Sequence, residues 1–153
     1  YFLSLDLNKN FSKKVFLTTK RQDRISNINE LIKKLSDLDF KIINPIDYNI
    51  IDLCNYIRNS EILICEKASI MNNLLIARDK KFYLLSSKEE KNLSHKFFIG
   101  AGIYKTFLFN LINEIYCSKD PENQNEKPYK NRIKVDISKL KNILNNKNDK
   151  KNN

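Results

Sequence analysis

Glycine is nearly absent from this chain: there are two in 153 residues, both in the stretch Gly100-Ala101-Gly102. The glycine-rich dinucleotide fingerprint, which lets a backbone approach a pyrophosphate closely, therefore has no place after any of the early apolar runs. Cysteine and histidine are as scarce. Cys54, Cys65 and Cys117 are widely separated and His95 is the single histidine, so no zinc pattern forms and no metal is expected. Cys54 falls in a helical stripe and Cys65 ends an apolar run, which reads as buried free thiols in a reducing compartment. No apolar run approaches the roughly 20 residues of a membrane span. Tyr1-Phe2-Leu3-Ser4-Leu5 is too short for a signal-peptide core. The chain opens on Tyr1, not Met, and reads as a fragment or a processed product.

Acidic residues are also few, 18 against 28 Lys and Arg, for a net charge of +10. Arginine is confined to positions 21, 24, 58, 78 and 132, while Lys, Asn and Ile are heavy throughout. Nucleic-acid surfaces lean on Arg and on aromatic platforms. The charge is therefore read as lysine-rich solvated faces, and no nucleic-acid partner is expected. Long-range attraction to an acidic membrane surface fits the same charge, and peripheral membrane association is kept among the partners.

What the chain does have is a regular rise and fall of apolarity from Lys14 to Leu85. Val15-Phe16-Leu17 is a short apolar run that breaks at Thr18-Thr19-Lys20-Arg21. Leu31, Ile32, Leu35 and Leu38 recur at helical spacing and lead to Phe40-Lys41-Ile42-Ile43. Ile50, Leu53 and Ile57 form a second stripe before Ile62-Leu63-Ile64, and a helix-like stretch from Ala68 to Ala77 precedes Phe82-Tyr83-Leu84-Leu85. Short apolar strands alternating with helices predict an α/β domain with a mainly parallel sheet covered on both faces. Such sheets bind ligands at the carboxyl ends of their strands.

The remainder is less regular. Ser86 to Ser94 reads as a charged loop or short helix, and Phe107 to Tyr116 as a strand or a buried helix. Ser118 to Lys130 is a Pro- and Asn-bearing loop. Ile133 to Ile137 alternates like a half-exposed strand, with Ser138 placed to cap a short helix through Leu144. The organisation is thus residues 1–13 as an upstream element and linker, 14–144 as one domain, and 145–153 as a disordered Asn/Lys tail.

Two strand ends carry chemistry. After the first strand, Lys20, Arg21 and Arg24 precede a helix whose N-cap is Ser26 or Asn27, with Glu30 at capping-box spacing from Asn27. Cations beside free helix amides suit a phosphate group; a solvated basic loop with an ordinary cap fits the same residues. After the third strand comes Cys65-Glu66-Lys67-Ala68-Ser69, with Asn72 one turn further on. Small residues there admit a ligand close to a helix N-terminus, and Ser69 as a plain helix cap is the alternative.

In their order and separation these segments resemble glycosyltransferase family 61, which includes capsular polysaccharide biosynthesis proteins. The matching residues are Thr19-Lys20 at the strand end, Arg24-Ile25-Ser26-Asn27, Glu30-Leu31 opening the helix, and Phe40 to Pro45 as the second strand. Asn59 to Ile64 leads into the third strand. Ala68 and Asn72 fall on the Ala and Asn of the family's His-Gly-Ala-Gly-x-x-Asn turn, Gly102-Ile103-Tyr104 on a later Gly-x-x-Tyr region, and Val135-Asp136-Ile137 with Leu140 on its closing strand and helix. Glu66, Lys67 and Ser69 stand where that turn has His, Gly and Gly, and Leu84 where the family usually carries an acidic residue.

The resemblance implies the Rossmann-like, donor-binding half of a GT-B-like enzyme in the cytoplasm, peripheral to the inner membrane face. It would be inverting and metal-independent, with a nucleotide-sugar as substrate, no separate cofactor, and a glycan acceptor held by a missing N-terminal domain. Thr19, Lys20, Arg21, Arg24, Asn27, Ala68, Ser69 and Asn72 are then the donor-binding candidates. Glu66 is the candidate general base by position. A degenerate, non-catalytic binding or scaffolding domain is the competing expectation.

Overall fold

Val15, Phe16 and Leu17 are wholly buried, and in the computed structural model they form the strand from which the rest of the sheet is built. The structure describes residues 11–66, 73, 82–87, 112–120 and 132–145. Strands β1 (Lys14–Leu17), β2 (Lys41–Ile43), β3 (Ile62–Glu66), β4 (Phe82–Ser87), β5 (Ile112–Lys119) and β6 (Ile133–Lys134) make one six-stranded sheet in the order β2-β1-β3-β4-β5-β6. The first five strands run parallel and β6 is antiparallel to β5. The four early apolar runs thus lie together in one mostly parallel sheet, as the alternation predicts.

Strand order reverses between β1 and β3: the chain steps from β1 out to β2, then back past β1 to β3. Crossovers of one hand that move in opposite directions put their helices on opposite faces. That is what the packing shows. Helix α2 (Ile50–Asn59) sets Leu53 and Ile57 on the face of Val15, Leu17, Leu63 and Phe82. Helix α1 (Ile28–Ser36) sets Leu31 and Leu35 on the face of Phe16, Ile64 and Leu85, beside helix α3 (Ile137–Asn145) with Leu140 and Leu144. Alternate residues of each strand supply the two cores because successive side chains point to opposite faces. Burying a Leu, Ile or Phe contributes about 1.5–3 kcal/mol, so both faces stabilise the fold.

The helix boundaries follow local chemistry. Asn49 caps α2 by accepting from Asp52 N–H at 2.9 Å. After α1 the chain turns at Asp39, whose φ of 64° is the left-handed conformation that a short polar side chain tolerates. Phe40 N–H then returns to Leu35 O at 3.0 Å.

Several boundaries depart from the sequence expectation. Ser86 and Ser87 extend β4 instead of opening a charged loop, because both are buried and opposite Tyr116 and Cys117 of β5. Ile112 to Tyr116 is strand, which resolves the strand-or-helix alternative for those residues, and β5 continues through Ser118 and Lys119 opposite β6. Helix α3 begins at Ile137, and Asp136 caps it, its Oδ1 accepting from Lys139 N–H at 2.9 Å. Ser138 was the expected cap. An Asp two residues earlier supplies a stronger acceptor, and the half-exposed strand ends before the cap. Apart from Asn73, the stretch Ala68 to Ala77 lies outside the described residues, as do the glycine pair and the tail beyond Asn145.

Candidate functional site

The register Leu17↔Cys65 carries Thr18 opposite Glu66 at the carboxyl ends of β1 and β3, the point where strand order reverses. Glu66 is only 2% exposed. A buried carboxylate is costly unless hydrogen-bonded, and the loop after β1 supplies the donors. Thr19 N–H donates to Glu66 Oε1 at 2.8 Å, Thr18 Oγ1 donates to Oε2 at 3.1 Å, and Thr19 Oγ1 donates to Oε1 as well. Thr18 Oγ1 in turn accepts Lys20 N–H at 3.0 Å. Lys20 sits at φ 59°, a conformation that costs a non-glycine residue of order 1 kcal/mol. Glu66 and Thr18 together hold the turn in that shape.

Two seams flank β1. On the β2 side Thr18 N–H continues the ladder to Ile43 O at 2.9 Å. On the β3 side the contact past the ladder is made by the Glu66 carboxylate. Burial, and next the neighbouring Glu66 charge, push the Cys65 thiol well above its ordinary pKa. Cys65 is therefore an inert packed thiol, and Cys54 and Cys117 are likewise buried and outside any disulfide.

The cations of the β1 loop are placed differently from one another. Arg21 is exposed and forks onto Asp23, its Nε 2.9 Å from Oδ1 and its Nη2 on Oδ2. That hydrogen bond holds the Asp23 carboxyl below its ordinary value and raises Arg21. Glu66 also acts on Arg21, and Arg24 on Asp23, so this loop and the buried carboxylate share one electrostatic neighbourhood. Lys20 is exposed and Arg24 half-buried.

Asn27 occupies the N-cap position of α1 without making a side-chain cap. Its amide is spent on the C-terminal strand instead: Nδ2 donates to Val135 O at 2.9 Å and Oδ1 accepts Val135 N–H at 3.0 Å. Ser26 Oγ lies 3.4 Å from Ile133 O. Neither expected cap forms, because residues 24–27 pair with residues 133–135 across the curl of the sheet. Thr19, Lys20, Arg21, Arg24 and Glu66 are brought together at one edge. Asn27 is turned to a structural pairing. Ala68, Ser69 and Asn72 lie outside the described residues.

Sequence reasoning did not foresee Arg132, just before β6, and Asp120, just after β5, which join this edge with Nη2 2.8 Å from Oδ2. Their separation in sequence hides the pairing, and only the antiparallel return of β6 reveals it. Elsewhere, a groove of about 170 Å³ lies between α1 and α3, lined by Leu31, Leu35, Leu140 and Leu144 and rimmed by Lys34 and Lys141. It is apolar and belongs to the helical face, away from the strand ends. Among the described residues no cluster of His, Cys, Asp and Glu suited to a metal occurs, and no helix is long and apolar enough to cross a membrane.

Compared with known proteins, the chain matches no family model, no curated protein and no solved structure.

Proposed function

We propose that this chain is the donor-binding, Rossmann-like half of a family 61-like glycosyltransferase, holding a nucleotide-sugar at the carboxyl ends of β1 and β3. The observation that carries the reading is the strand reversal between β1 and β3 with a cation-bearing loop leaving it. Open α/β sheets bind ligands where strand order reverses. Thr19 and Lys20 N–H are already taken by Glu66 and Thr18. The diphosphate is therefore gripped by the side chains of Lys20, Arg21 and Arg24, which stabilise the charge developing on the leaving group. Capsular or surface polysaccharide synthesis at the cytoplasmic membrane face is the setting that the motif order suggests, with a glycan acceptor on a second domain.

A specific observation favours a second reading, a non-catalytic binding domain. Both oxygens of Glu66 are occupied by Thr18 and Thr19, whereas a general base must reach the acceptor hydroxyl. Titration of the intact chain with UDP-, GDP- and CMP-sugars tests the shared claim. One of them should bind, and Arg24→Ala should weaken it by about 1.5–3 kcal/mol, the scale of a hydrogen bond to a charged group. Turnover that falls in Glu66→Gln with binding retained supports catalysis through Glu66. Binding without turnover in the full-length protein supports the second reading, and no binding by any of the three sugars ends both.

A further inference from the structure

The antiparallel return of β6 puts its first residues at the same edge as the last residues of β5. There, Asp120 N–H donates to Arg132 O at 2.9 Å, and the two side chains meet at 2.8 Å. The Asp120 side chain is 7% exposed and that of Arg132 27%, so the carboxylate is the buried anchor and the Arg132 side chain is partly exposed, with its Nε buried. One residue further, Ile133 N–H donates to Arg24 O at 2.9 Å and Ser26 N–H donates to Ile133 O at 2.9 Å. This is a parallel bridge between Ile25 and Ile133. Parallel register sets Arg132 beside Arg24 on adjacent backbones. A guanidinium has five N–H donors in a planar fork. Asp120 takes one at Nη2, and Nε–H has no acceptor among the described residues.

We propose that Arg132 is a further anion-contacting residue of this edge, aimed by buried Asp120 so that the Nη donors left over from that pair meet a phosphate beside Arg24. This rests on the nucleotide-sugar reading above. An Arg fixed by a buried carboxylate loses less rotamer freedom on binding than a solvated Lys, which is why the fork geometry suits phosphate. The C-terminal strand would then report ligand occupancy to the end of the sheet farthest from β2.

The test is calorimetric titration of the intact chain with UDP, GDP and inorganic pyrophosphate. The wild type should bind pyrophosphate and at least one nucleotide. Arg132→Gln should weaken each bound probe by about ten- to a hundredfold, the scale of one charge-assisted hydrogen bond. Arg132→Lys keeps the ion pair with Asp120 and the melting temperature, yet should recover only part of the loss. A purely structural Arg132 would show full recovery in Arg132→Lys. Lys139→Gln, an exposed charge on α3, should change nothing. Wild-type binding with both Arg132 variants unaffected overturns this inference and leaves the nucleotide-sugar reading standing. A wild type that binds none of the three probes overturns both.

Discussion

The two seams of β1 begin alike and end differently. Toward β2, the ladder closes with Thr18 N–H on Ile43 O, and the chain leaves through a 3-10 turn, Pro45–Asp47, whose Ile46 is 87% exposed. Toward β3, the ladder gives way to a buried carboxylate gripped by two threonines. Both seams are parallel pairs, but β2 is the outer strand, with Lys41 exposed and Ile43 its buried residue, whereas Leu63 to Glu66 of β3 are all buried. Topology adds a second difference. At the β2 seam the connecting helix α1 crosses directly to its neighbour. At the β3 seam the chain returns from the opposite direction, and the loops on either side diverge. A polar group buried at such a divergence has to be satisfied by the loops themselves, and here that group shapes the turn bearing Lys20 and Arg21.

The largest expected effect breaks the β3 seam. Glu66→Ala leaves the buried Thr18 hydroxyl and Thr19 N–H without their acceptor, and should destabilise the fold by about 2–4 kcal/mol in urea unfolding. The matched change at the β2 seam, Ile46→Ser, should stay within about 0.5 kcal/mol, because the side chain is already in water. Equal costs at the two positions would erase the distinction drawn between the seams.

Thr18→Val sharpens it. The shape is kept, but the hydroxyl that links Glu66 to Lys20 N–H is lost, for an expected cost of about 1–2 kcal/mol. The relaxed turn should also lower affinity for pyrophosphate, since Lys20 is no longer held in its left-handed conformation. A stability loss with unchanged affinity would mean that the turn supports the fold alone.

These contrasts mark what the sequence could disclose. The strands and the two faces were legible because Val15-Phe16-Leu17 and its counterparts are uniformly apolar, and because Leu31, Leu35, Leu53 and Ile57 keep helical spacing. The cations after β1 were legible because they follow Thr18 and Thr19 directly past the end of an apolar run. Glu66 was visible as a polar residue in a site position, but its engagement by Thr18 and Thr19 was not, because it depends on the register of two strands some 48 residues apart. The commitment of Asn27 to Val135 is hidden by a separation of 108 residues, and local propensity made it a cap. Asp136 was overlooked because Ile133 to Ile137 alternates, and the alternation masked a capping residue within it.

The smallest expected effect concerns the exposed pair in the β1 loop. Asp23 titrates lower in the folded chain than in the unfolded one because Arg21 hydrogen-bonds its charged form. Its contribution is therefore complete above the unfolded carboxylate pKa and is lost as pH falls through the lower, folded value. Since both side chains are well exposed, solvent screening keeps the stability change slight. The readout is the Asp23 carboxyl titration by NMR, which Arg21→Gln should return toward the ordinary value. An unmoved titration would place the cause of the shift elsewhere.

The most direct measurement of the central claim is an amide NMR titration of the intact chain with the nucleotide-sugar that binds best. The claim predicts that the largest shifts fall on Thr18 to Arg24 and on Glu66, where strand order reverses, while Asn44 to Tyr48 at the neighbouring seam move little. Shifts centred on the β2 turn or on the α1–α3 groove, with the β1 loop unmoved, would contradict it.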